Sequence, residues 1–142
     1  MYLIHPFMQL SATLLALYVL KLGVARFRRL HLQQATTFNW KRHVLLGKTA
    51  TGLWFFGLLL GLATVRVSWH GLLITGAHGV HGLYILPILC IGVFTGLYMD
   101  KKKKQRLLLP LIHAGANLLV LAMAFLQAAS GWQVYNAFVL GN

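Results

Sequence analysis

The chain has 142 residues, 58% of them hydrophobic, and sets thirteen Lys and Arg against a single acidic side chain, Asp100. One carboxylate excludes paired-carboxylate hydrolysis, carboxylate metal cages and proton relays built from Asp and Glu. The net charge of +12 falls in the gaps between long apolar runs and not along an amphipathic face, which argues against nucleic acid as a partner.

The first apolar run covers residues 2–20, and at about 20 residues per crossing it is long enough to span a bilayer. It has no basic leader and no small-residue cleavage pattern, so it reads as a first helix and not as a signal peptide. The connection that follows, KLGVARFRRLHLQQATTFNWKR, alternates Arg, Phe and Leu and is expected to lie in the headgroup region. The second run, 43–65, opens on His43 between Lys41, Arg42 and Lys48. The third, 72–98, contains HGVHG at 78–82 and the chain's one cysteine, Cys90, which excludes a disulfide framework and CxxC-type metal or haem attachment. After the short link DKKKKQR, the fourth run covers 107–128 and carries His113.

The expected fold class is therefore all-α: a single integral membrane four-helix bundle over 1–142, up-down-up-down, with both termini on one face and no internal repeat. Calling the terminal face side A, twelve of the thirteen basic residues fall on side B and Arg66 alone on side A. The positive-inside rule then makes side B cytoplasmic and places both termini on the non-cytoplasmic side, as in a multi-pass protein of a bacterial inner membrane or its equivalent, with membrane lipid as a direct partner. Trp40, Trp54, Trp69 and Trp132 are expected mostly at span ends, as an aromatic belt.

Five of the seven histidines stand near the beginning of a span: His5, His43, His78, His81 and His113. An ionisable ring inside a membrane span is costly unless it is used, which makes each a candidate functional residue. Successive spans run in opposite directions, so the first and third bring His5 and His78 or His81 to side A, and the second and fourth bring His43 and His113 to side B. Haem b needs two imidazoles facing each other from separate helices. The expected axial pairs are His5 with His78, and His43 with His113, one haem b at each face. His81 stays open as the alternative to His78, since residues three apart share a helix face. Four residues after the ligands come Gln9, Gly47, Gly82 and Asn117, a glycine on one helix of each pair and an amide on the other. Gly47 and Gly82 would let a porphyrin lie close to the backbone, while Lys41 and Arg42 would neutralise propionates.

With His5-Pro6, HVLLG from His43, HGVHG from His78 and HAGANLLVLAMAFLQAASG from His113, the whole chain resembles the cytochrome b561 superfamily. The resemblance implies a four-helix core with two b haems held by histidines of helices one and three and of helices two and four. It also implies transmembrane electron transfer from ascorbate or quinol to an acceptor on the opposite face. Quinone is then a second candidate cofactor, and quinol and other electron-transfer subunits are candidate partners. The chain has only the core four helices, without the additional helices of the animal and plant enzymes. The alternative from a different class is a haem-free assembly subunit of a larger membrane electron-transfer complex, its histidines binding quinone or pigment.

Overall fold

A computed structural model describes residues 2–141, which fold into four long helices: α1 (Ile4–His31), α2 (Trp40–Trp69), α3 (Ala77–Lys101) and α4 (Leu108–Tyr135). A π-helical turn, Asn136–Leu140, prolongs α4. All four are long and apolar enough to cross a membrane. An α-helix satisfies its own backbone polar groups, which hydrocarbon cannot do. Large apolar side chains such as Phe7, Phe56, Phe94 and Leu126 stand exposed on the outer surface, where lipid would cover them.

The helix ends differ from the hydropathy runs for local reasons. α1 continues eleven residues past residue 20 to His31, because Lys and Arg are good helix formers even where they end an apolar run. The first half of the basic connection, 21–31, is thus a helical extension, and only its residues 32–39 are non-helical, with Thr36 Oγ1 donating to the carbonyl of Ala25 at 2.7 Å. α2 begins at a true cap, Asn39, whose side chain accepts from the Arg42 amide at 3.0 Å. It ends at His70 in the left-handed region, with Arg66 donating to the His70 carbonyl. The apolar residues Leu72–Ile74 belong to the turn and not to α3, which starts only at Ala77, after Gly76 has turned the chain at φ +60°.

α1 packs closely on α2, and α3 on α4, while the contacts between the two hairpins are sparser. Within the described residues, the backbones of the diagonal partners, α1 with α3 and α2 with α4, nowhere come within 8 Å (Cα–Cα). The start of α1 meets the end of α2, and the start of α3 meets the end of α4, so both hairpins are antiparallel. The core joins Ala12, Trp54, Leu89, Val120 and Leu121 in mid-bundle. Trp54 is therefore not a belt residue: it is 6% exposed and its indole N–H donates to Thr13 Oγ1 at 3.3 Å.

Candidate functional site

The open diagonals are where the histidines meet. The rings of His5 on α1 and His78 on α3 face each other with centroids 6.2 Å apart, and those of His43 on α2 and His113 on α4 with centroids 6.4 Å apart. His81, one turn on from His78, is exposed and lies outside the pair. A metal–imidazole bond is about 2 Å and a ring nitrogen lies about 1.1 Å from its ring centre, so two imidazoles on opposite sides of one metal have centres about 6 Å apart. Both pairs have that spacing. Among the described residues no group of three or more His, Cys, Asp or Glu side chains converges on a point. A cofactor suited to these sites would therefore bring its remaining donors with it, as a tetrapyrrole does.

Each ring is anchored through Nδ1. His5 donates to the Gly57 carbonyl at 2.7 Å, His43 to the Val19 carbonyl at 3.2 Å and His113 to the Gly92 carbonyl at 2.9 Å. A carbonyl only accepts, so these three bonds require the proton on Nδ1 and leave the Nε2 lone pair for a ligand. His78 instead meets Ser130 Oγ at 3.0 Å. Asn117, four residues after His113, uses its amide to donate to the His113 carbonyl at 2.7 Å, holding the turn below the ring.

Each ring also rests on a glycine of its hairpin partner. A Cβ on Gly61 would sit 2.9 Å from His5 Cε1, on Gly96 2.9 Å from His113 Cε1, on Gly131 3.1 Å from His78 Cε1, and on Gly23 3.4 Å from His43 Cε1. On every helix the glycine follows the histidine by 18 residues: His5 and Gly23, His43 and Gly61, His78 and Gly96, His113 and Gly131. Eighteen residues make about five turns and about 27 Å of rise, so each helix presents a ring at one end and a seat at the other on a single face. The expectation of no internal repeat misses this spacing. The glycines at the +4 positions act differently: Gly82 makes room for the Gln127 amide, 3.1 Å from where its Cβ would be, and Gly47 lies against Val19.

A cavity of about 1450 Å³ surrounds His43 and His113 and reaches the side B ends of the helices. Gly47, Asn117 and Trp54 line it, as do the cationic Arg26, Lys48 and Arg106. Lys48 is paired with Asp100 at 3.0 Å. Of the basic residues singled out by sequence, Arg42 stacks over Tyr18 at 5.1 Å and Lys41 is exposed, neither lining this cavity. Arg26 on α1 and Arg106 ahead of α4 are cations that sequence proximity to His43 does not reveal. On side A a smaller cavity of about 210 Å³ is lined by His78, Ser130, Thr75 and Gln133.

No protein-family model, curated protein or solved structure matches this chain.

Proposed function

We propose that this chain is a b-type dihaem membrane cytochrome of the cytochrome b561 kind, carrying electrons between the two faces of a bilayer. The observation that carries the reading is the pair of diagonal imidazole couples, each at the spacing of a bis-histidine metal site and each anchored at Nδ1. His5 and His78 would hold one haem b, and His43 and His113 the other. When bound, the haems supply reversible one-electron exchange.

The chain's own part is placement and insulation. Gly61 and Gly131 seat the side A rings, and Gly23 and Gly96 those of side B, while the carbonyl anchors fix which nitrogen faces the slot. Trp54 and its neighbours pack together in the layer between the two levels. Arg26 and Arg106 give the side B slot a positive rim suited to carboxylates. The basic excess makes side B cytoplasmic and both termini external in this reading, with quinol or another donor at one face and an acceptor at the other.

Replacing His43 and His78 singly by Ala tests the assignment. Each variant is expected to lose one haem of two, and the double variant to lose both. Retention of two haems in either single variant would overturn the ligand set.

A further inference from the structure

Three of the four rings are anchored to main-chain carbonyls, which no substitution removes. His78 is the exception, because its Nδ1 partner is a side-chain hydroxyl, Ser130 Oγ at 3.0 Å. A hydroxyl either donates or accepts, and the surroundings of Ser130 decide which. Its oxygen lies 3.2 Å from Gln127 Oε1 and 3.3 Å from the Gln127 carbonyl, both acceptors, so the hydroxyl proton is directed to Gln127. The Gln127 amide orientation is set in turn by Nε2 donating to the His78 carbonyl at 3.0 Å, in the space that Gly82 leaves. Ser130 Oγ is thereby left to accept from His78 Nδ1–H, and the ring is held in the same tautomer as the other three.

We infer that Ser130, oriented by Gln127, is the residue that sets the electron-donating strength of His78 and so the reduction potential of the side A centre apart from that of side B. It is a positioning residue, acting through the histidine, and the inference rests on the dihaem reading. A hydrogen bond from the distal nitrogen pushes electron density onto the ligating one, which favours the oxidised metal. Removing the acceptor weakens that donation and raises the potential. The other three histidines keep carbonyl acceptors whatever side chains surround them; at His113 the Thr95 hydroxyl, 3.2 Å from Nδ1, supplements the Gly92 carbonyl at 2.9 Å and does not replace it.

The test is a spectroscopic redox titration of the holoprotein in wild type, Ser130→Ala and Ser130→Thr forms. The side A centre is identified as the one missing from His5→Ala. Ser130→Ala is expected to raise the side A midpoint potential and leave that of side B in place, and Ser130→Thr, which restores a hydroxyl, to return it toward wild type. Unchanged potentials with both haems bound, or equal shifts at both levels, overturn the inference. If Ser130→Ala does not hold the side A haem, Ser130→Cys decides. That variant fills the same space with a thiol, a weaker acceptor for His78 Nδ1–H, so an upward shift confined to side A supports the role and no shift overturns it. A wild type without haem is a different failure, of the dihaem reading itself, and is seen before any variant is titrated.

Discussion

A methyl group added at Gly61 meets the ring of His5 head on. The Cβ would stand 2.9 Å from both Cε1 and Nδ1 of His5, against the 3.5–4.0 Å of ordinary carbon contacts, a shortfall of about 0.6–1.1 Å. The ring has little room to retreat, because Nδ1 is tied by a 2.7 Å bond to the Gly57 carbonyl, one turn away on the same helix. Overpacking of this size costs about 1–3 kcal/mol. Gly52, also in α2, has nothing within 4 Å of its Cβ position, and Gly→Ala there is expected to gain up to about 1 kcal/mol from backbone entropy. Gly61→Ala should therefore be less stable than Gly52→Ala by about 1–3 kcal/mol and should lose haem from the side A level alone. Paired unfolding curves in detergent, with haem b counted per chain, measure both effects. Equal stability and equal haem content in the two variants would refute the role of Gly61 as the seat of the ring.

Replacing His113 by Ala is expected to remove the same haem that His43→Ala removes, with no further loss in the double variant, whereas His81→Ala keeps both haems; visible spectra of the four purified proteins read this directly. Trp54→Ala should cost about 3–5 kcal/mol in an unfolding titration through lost burial, and Trp54→Phe, which keeps a ring and gives up the bond to Thr13, about 1 kcal/mol. For orientation, a cysteine placed at Gln105, in a Cys90→Ala background, should react with an impermeant maleimide only when the cytoplasmic face is opened, and one at Leu72 from the outside; the reverse pattern would invert the assignment of side B.

Hydropathy locates four helices because lipid-facing and buried positions are both apolar, and the same fact hides where helices stop. Lys21 to Arg29 leave the apolar run without leaving the helix, whereas Leu72 to Ile74 stay apolar after it has ended. Pairing histidines by depth needs only the alternation of helix direction, so the partners His5 with His78 and His43 with His113 can be read from sequence. Choosing His78 over His81 rests in the sequence on depth alone, since both positions lie on one helix face, and it is the placement of α3 against α1 that brings the His78 ring to His5. The 18-residue spacing from histidine to glycine is printed in the sequence on all four helices. Its meaning is not, because each glycine serves the ring of a neighbouring helix. Ser130, 52 residues from His78, carries no local signal at all.

The central claim is that two imidazole pairs hold two haems. The direct measurement is a pyridine haemochrome assay on the purified wild-type chain, expressed with ample haem, together with oxidised and reduced visible spectra. Two low-spin b haems per chain is the predicted result. A colourless protein under those conditions contradicts the account and favours an assembly subunit, whose histidines bind another ligand.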